Sequence, residues 1–454
     1  MKTRREAEPP GVSETAKQGG DRPSNRQYGW VERAVWTDRM LAALEVGVKG
    51  GRWFSLMDKV YAKGNLSAAA RKVIANKGSA GVDRVTVEIF EKHLDANIER
   101  LHEELRQGRY EPQAIRRTYI PKSGSKELRP LGIPTVRDRV VQKALHSAIE
   151  PIFEREFAER SYGFRPERGC KDALREVQRW LDEGRLWVVD ADLKAYFDTI
   201  PHDRLMTLVG QRVADGKVLE LIAAYLRQRI LEEGREWSPE TGTPQGAVLS
   251  PLLANVYLNP LDHLMQQGGF KMARYADDFV VLCGDEAEAQ RALDTIRQWV
   301  EQAGLTLHPT KTRLVDMNQM GQGFDFLGYR FERNRRGLRR WPRTKSVANF
   351  REEVRKHTQR TDGNSLESII SKLNPKVRGF FEYFKHSCAA GLDALDKWVR
   401  MRLRSILRKR QKRRGRGRGN DHLRWPNAFF GELGLFSMTT ARAQLVTAPS
   451  GVNR

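Results

Sequence analysis

The stretch Ala273-Arg274-Tyr275-Ala276-Asp277-Asp278-Phe279-Val280-Val281-Leu282 constrains the fold of this chain more than any other. Two adjacent aspartates separate short runs rich in aromatic and β-branched residues, which predicts two strands with the acid pair at the tight turn between them. Successive strand residues face opposite sides of a sheet, so the two carboxylates cannot serve identical roles. An unpaired carboxylate is too costly to bury, and a cation therefore belongs beside them. Taken alone, an Asp-Asp turn is ordinary turn chemistry, because Asp tolerates such backbones. A second stretch changes its weight: Leu186 to Asp198 reads as an apolar strand ending in the acids Asp190, Asp192 and Asp198.

The 454 residues include 80 Lys and Arg against 57 Asp and Glu, a formal net charge of +23. Such an excess favours a polyanionic partner, nucleic acid first. A membrane surface is the competitor, but mean hydropathy is −0.62 and no apolar run approaches the ~20 residues that span a bilayer. Met1 to Arg33 is polar and charged, without the apolar core of a secretory signal. The three cysteines (Cys170, Cys283 and Cys388) are far apart, which argues against zinc fingers and suits a reducing cytoplasm.

Along the chain, residues 1–27 have a disordered composition. Helical spacing covers 30–46, 53–75 and 85–107, and Ile115 to Pro134 reads as a basic β-hairpin around a Ser-Gly-Ser turn. Helices are expected over 137–157 and 171–182. The loop Gly242-Thr243-Pro244-Gln245-Gly246 opens an apolar helix over 249–264, with Thr243 as its cap and Pro244 in its first turn. A helix over 286–303 and strand-like pieces at 305–312 and 324–331 follow. Residues 345–410 are helical and basic, and the cations continue through alternating Gly and Arg to Gly419. The expected domains are a largely disordered basic extension (1–50), a catalytic region (51–335), a helical domain (336–400) and a basic C-terminal tail (401–454) open to a DNA-binding role.

Asp192 and Asp277 both fall at strand ends that could neighbour in one sheet. Carboxylate oxygens are preferred Mg²⁺ ligands, and Mg²⁺ keeps positions for water and phosphate. Two such ions activate a hydroxyl and stabilise a leaving pyrophosphate in an in-line displacement at phosphorus. A helix cap or a structural ion pair is the plain alternative for Asp192.

Tyr275-Ala276-Asp277-Asp278 resembles the Tyr-x-Asp-Asp box of reverse transcriptases, and Asp192 to Asp198 resembles their first catalytic block. Leu249 to Asn255, Arg129 to Pro134, Tyr162 to Pro166 and Phe326 to Tyr329 are similar to the bacterial group II intron version, a likeness running from about residue 55 to 430. The resemblance implies an α+β right-hand polymerase fold: fingers, a palm on an antiparallel sheet, and a helical thumb. It implies Asp192, Asp277 and Asp278 as the catalytic, metal-binding acids, with two Mg²⁺ ions that Mn²⁺ can replace. Phe197 stands as the steric gate against a ribose 2′-hydroxyl. Lys122 and Arg129 match the pair that grips the triphosphate, Gln245 lines the nucleotide pocket, and Lys311 is the basic residue of the next block.

Leu373 to Phe384 and Leu395 to Arg400 resemble the maturase-specific domain of these enzymes. There Arg378, Tyr383, Lys397, Arg400 and Arg404 are the residues expected on RNA, since aromatics and Arg planes stack on bases while cations meet phosphates. His422 is the only His after residue 386 and no Cys follows Cys388, so the family's C-terminal HNH endonuclease is expected to be missing. The implied activity is an RNA-directed DNA polymerase and maturase that binds its intron RNA, promotes splicing and copies the intron during retrohoming. Its partners would be intron RNA, a DNA target and primer, and dNTPs, in a bacterial, nucleoid-associated cytoplasmic setting with a homodimer left open. Two rivals remain at this level: a bacterial reverse transcriptase with another task, and a non-catalytic splicing factor on a degenerate scaffold.

Overall fold

The computed structural model describes residues 28–121 and 128–447. The extension over 1–27 and Lys122 lie outside the described residues. The chain divides into two compact units, with the boundary between Leu314 and Val315. No described helix is long and apolar enough to cross a membrane.

The first unit carries two sheets. One pairs β1 (Ile115–Pro121) antiparallel with β2 (Leu128–Ile133), the expected basic hairpin. The other is built on β3 (Trp187–Asp192). Two further strands, β4 (Ile230–Glu232) and β5 (Arg235–Trp237), extend the hairpin sheet in the order β2-β1-β4-β5. Sequence reading missed this second hairpin because each arm is three residues long. Its signal was Glu233-Gly234, which adopts φ 49° and 82° in a two-residue turn, the backbone that tight hairpins favour.

The β3 sheet also holds β6 (Lys271–Tyr275), β7 (Asp278–Cys283) and β8 (Arg313–Asp316), in the order β6-β7-β3-β8. Phe279 through Cys283 are all buried, as expected for a strand covered on both faces. Helix Glu286–Gln302 supplies part of that cover. Its Asp285 cap accepts from the Glu288 amide at 2.7 Å, and Glu288 reaches back to the Gly284 amide at 2.7 Å. Ala289, Leu293, Ile296 and Val300 then form its buried stripe. Helix Ser250–Gln267 adds Leu253, Tyr257 and Leu261 to the same core. Thr243 is not its cap. The helix starts at Ser250 with Pro251 in its first turn; Thr243 and Pro244 lie in the preceding loop, where the Thr243 amide donates to the Phe197 carbonyl at 2.6 Å. The segment 85–107 is likewise two helices, broken at His93.

Asp138 ties the hairpin sheet to a helix. It is fully buried in the first turn of helix Val136–Glu154. It accepts from Tyr110 Oη at 2.7 Å, the Gln113 amide at 3.0 Å and Gln228 Nε2 at 3.2 Å. Burial pushes its carboxyl pKa up, against the pull of these donors. Gln113 and Gln228 each precede a strand of the hairpin sheet, so one carboxylate ties both strand entries to the helix.

The second unit holds β9 (Gly323–Phe326), β10 (Tyr329–Asn334) and β11 (Gly337–Pro342) in one antiparallel sheet. Helices Thr344–His357, Leu366–Phe384 and Ala389–Arg410 follow. Residues 401–447 do not form a tail. Leu403, Ile406, Trp425, Phe430 and Met438 are buried in the same core as Phe350, Leu373 and Val399. Arg404, expected on RNA, is also buried: Nε donates to the Trp425 carbonyl and Nη2 to Asn427 Oδ1, both at 2.9 Å, with the guanidinium 5.1 Å from the Phe430 ring. A basic residue inside an apolar helix stripe here ties its helix to the backbone of the Trp425 segment, 21 residues on. Phe430→Ala should therefore cost about 3–5 kcal/mol in urea unfolding followed by circular dichroism. A cost near zero would mean that this segment is not part of the core.

Candidate active site

Asp192 closes β3 and pairs directly across the ladder with Asp278, the first residue of β7. Asp277 occupies the turn between β6 and β7 beside Ala276, whose φ of 59° is left-handed. Like charges opposite one another on antiparallel strands repel. Burial raises the Asp277 carboxyl pKa, and the Asp192 charge raises it further, while Arg129 and Arg274 oppose the shift. This is the electrostatic signature of a site arranged for a cation.

The turn is held from below by Arg274, which is fully buried. Its Nε donates to Asp262 Oδ1 at 2.7 Å, and Nη1 donates to Asn255 Oδ1 at 2.9 Å and to the Ala276 carbonyl at 2.8 Å. Nη2 meets Ser161 Oγ at 2.7 Å and pairs with Asp262 Oδ2. Burial alone would depress its pKa, but Asp262 raises it, so the guanidinium stays charged with every donor used. Asn255 Nδ2 also binds the Gly163 carbonyl at 2.7 Å, and the Tyr162 amide binds the Arg274 carbonyl at 2.9 Å. The Tyr-Gly-Phe segment thus lies against the turn, and a Cβ on Gly163 would overlap the Ala276 nitrogen. Sequence reading missed Arg274 and Asp262; the signal was a lone basic residue within an apolar strand.

Lys311 Nζ lies 2.5 Å from Asp192 Oδ2, and the His308 amide donates to the Asp192 carbonyl at 2.7 Å. Beside them Arg313 pairs with Asp190 at 3.1 Å. Phe197 sits half-buried in the short helix Tyr196–Thr199, after Ala195 at φ 49°, and packs edge-on against Tyr196 with centroids 5.5 Å apart. Tyr196 Oη in turn donates to the Ala254 carbonyl at 2.7 Å, which fixes the pair. Gln245 bridges two elements: its carbonyl accepts from the Gly132 amide of β2 at 2.7 Å, and its Nε2 stands 3.4 Å from Asp198 Oδ2. Arg129, exposed on β2, lowers the pKa of both Asp198 and Asp277 through its field. Arg117, not anticipated, acts on Asp198 more strongly and lies 5.1 Å from the Trp237 ring. The expected nucleotide-side residues other than Lys122 therefore gather in the first unit around the three acids.

The residues expected on RNA are each engaged in a contact within the second unit. Arg378 lies 4.5 Å from the Phe436 ring, Tyr383 Oη donates to the Leu327 carbonyl at 2.7 Å, Lys397 pairs with Asp393 at 2.7 Å and Arg400 with Asp396 at 3.7 Å. Together with buried Arg404, each serves its own local contact.

Among the described residues no three acids, imidazoles or thiols converge as a metal cage. Mg²⁺ does not need one, since it is commonly bound through one or two carboxylates with substrate phosphate and water completing its shell. Asp192 and Asp277 suit that mode: their charges act on each other, and a lysine ammonium already sits on one of them.

Strand-end carboxylates beneath a basic hairpin define the palm of a nucleic-acid polymerase. The profile of the family described as reverse transcriptase (RNA-dependent DNA polymerase) matches residues 120–331, and that of the group II intron, maturase-specific domain matches residues 347–425. Protein YkfC of Escherichia coli is 36% identical over 312 residues, covering 60% of this chain and 81% of that protein. The group II intron-encoded protein LtrA of Lactococcus lactis is 39% identical over 206 residues, covering 45% of this chain and 34% of LtrA. Nuclear intron maturase 2 of Arabidopsis thaliana is 28% identical over 234 residues, 43% of this chain and 31% of its own length. The chain belongs to the group II intron branch of the reverse transcriptases. It is an RNA-directed DNA polymerase with an α+β right-hand fold and a maturase-specific domain.

Gly163→Ala should push the Asp277 turn out of place while leaving every charge intact. Since small misplacements of reacting groups cost on the order of 100-fold in rate, kcat for primer extension should fall by about that factor with dNTP KM little changed. Unaltered kcat would show that the turn does not depend on this contact.

Proposed function

We propose that this chain binds the RNA of a group II intron, assists its splicing, and copies it into DNA during retrohoming from a primer at a DNA target. The observation that carries the polymerase half is the convergence of Asp192, at the end of β3, with Asp277 in the β6–β7 turn, where burial and its neighbour destabilise Asp277 as an anion. The maturase half is supported by the domain match over 347–425.

In the reaction proposed, the primer 3′-oxygen forms a bond to the α-phosphorus of a dNTP, the bond from that phosphorus to the bridging oxygen breaks, and pyrophosphate leaves. Asp192 and Asp277 would hold two Mg²⁺ ions, with Asp278 completing the acidic rim; Mn²⁺ has the same oxygen preference. The chemistry these ions supply when bound is activation of the 3′-hydroxyl and neutralisation of the leaving group. Arg129 would meet the triphosphate through charge-assisted hydrogen bonds, with Lys122 as its expected companion. Lys311 would release Asp192 as the site fills. Phe197, backed by Tyr196, would clash with a ribose 2′-hydroxyl and so select deoxynucleotides.

Extension of a DNA primer on an RNA template with Mg²⁺ tests the reading. The wild type should incorporate dNTPs, Asp277→Ala should lose that activity while still binding RNA, and EDTA should abolish it. Phe197→Ala should retain dNTP incorporation and gain on rNTPs by roughly tenfold or more in relative kcat/KM, a typical worth for one steric contact. A folded wild type that binds RNA but never extends would leave only the maturase half.

A further inference from the structure

The second unit contains a group of arginines for which no carboxylate partner is found among the described residues. Arg351 and Arg355 stand one turn apart on helix Thr344–His357, and both guanidinium carbons lie 5.7 Å from the Trp398 ring. Arg402 follows Trp398 by one turn on helix Ala389–Arg410 and donates to Thr358 Oγ1 at 3.1 Å and the Thr358 carbonyl at 2.6 Å. Arg360 is two residues beyond Thr358.

The alternating Gly-Arg segment adds a fifth cation, because it is docked on the helix. The Gly417 amide donates to Ser405 Oγ at 3.2 Å, and Arg408 Nε donates to the Arg414 carbonyl at 2.7 Å. A Cβ on Gly417 would come within 2.5 Å of Arg404 Cβ, so only glycine permits this approach. Arg416, exposed beside Gly417, is thereby held near Arg402.

Nearby acids are engaged elsewhere: Glu353 with Lys356, Asp393 with Lys397, Asp396 with Arg400, and Asp421 with Arg408; Glu352 acts on Lys356. Burial lowers the Arg402 pKa, and Arg355, Arg360 and Arg416 lower it further. The Nε groups of Arg351 and Arg360 are buried without an acceptor among the described residues. Repelling cations with unused donors are stabilised by a ligand bearing regularly spaced anionic oxygens, which is what a nucleic-acid backbone offers.

We propose that Arg351 and Arg355 at Trp398, with Arg402 one turn on and Arg360 and Arg416 beside Arg402, form a binding site for the phosphodiester backbone of RNA. The choice of RNA rests on the maturase reading above.

The test uses the full chain with two synthetic probes, an RNA hairpin and a DNA hairpin of matching sequence, and measures Kd across a salt series. Replacing Arg355, Arg360 and Arg416 together by Gln should weaken RNA binding about tenfold or more and flatten the salt slope by about two, the effect of losing three phosphate contacts. The same three positions changed to Lys should recover most of the affinity. A control lacking equal charge elsewhere (Arg175→Gln, Arg179→Gln and Arg297→Gln, each paired with an acid on its own helix) should bind as the wild type does. Equal loss in site variant and control, no recovery with Lys, or a loss confined to the DNA hairpin would each overturn the site. A wild type that prefers the DNA hairpin would overturn the RNA reading itself. Tight wild-type RNA binding with an unaltered site variant would remove this site alone.

Discussion

The buried pair of Arg274 with Asp262 is the interaction on which the polymerase site rests. An isolated guanidinium in a core would be prohibitively costly, and a buried pair contributes net stability only when its remaining donors are satisfied. Here they are: Asn255, Ser161 and the Ala276 carbonyl take the rest. Those partners come from a helix, from the Ser-Tyr-Gly-Phe segment and from the catalytic turn itself. One charged side chain therefore sets the distance between three elements distant in sequence. The left-handed Ala276 persists because these bonds over-determine it.

A similar logic places the hairpin sheet relative to the acids. Asp138 fixes both strand entries, and the Gly132–Gln245 backbone bond brings β2 to the loop that touches Asp198. Asp198, raised by burial and lowered again by Arg117, Gln245 and Arg129, marks where basic hairpin and acidic palm meet. Arg129 stays exposed on β2 while its field reaches Asp277 and Asp198, a position from which a guanidinium can meet phosphate.

The palm was legible because its elements announce themselves locally. A β-branched run ending in acids can hardly be anything but a strand end, and Asp192 and Asp278 emerge as ladder partners. Arg274 was less legible, since an arginine in a strand reads as an exposed residue unless its distant partners at 161, 255 and 262 are known. The β4–β5 hairpin was too short for periodicity. Charge misled most in the C-terminal region. The cations of Arg402 to Arg414 suggest a basic tail open to a DNA-binding role, yet the apolar residues between them, Leu403 and Ile406, are buried, and their spacing carries the helix into the core. Composition counts charges but does not say which have partners.

That distinction explains the formal charge of +23 better than a uniform basic surface does. Many of the cations are spent locally: Arg175, Arg179, Lys356 and Lys397 each pair with an acid within one helical turn, and such exposed pairs are worth only about 0–1 kcal/mol. Arg165, Arg274 and Arg404 are consumed in the interior. Two places concentrate charge of opposite sign. In the first unit it is the acids at the ends of β3 and β7, which repel one another and attract cations. In the second it is the arginines around Trp398. Each cluster is less stable by itself than when its counter-charge arrives, so binding at each is driven by relief of repulsion as well as by new contacts. Each cluster is fixed by buried contacts of its own unit: Arg274 with Asp262 beneath the acids of the first, and Arg404 with the Trp425 carbonyl on the helix that carries Trp398 in the second.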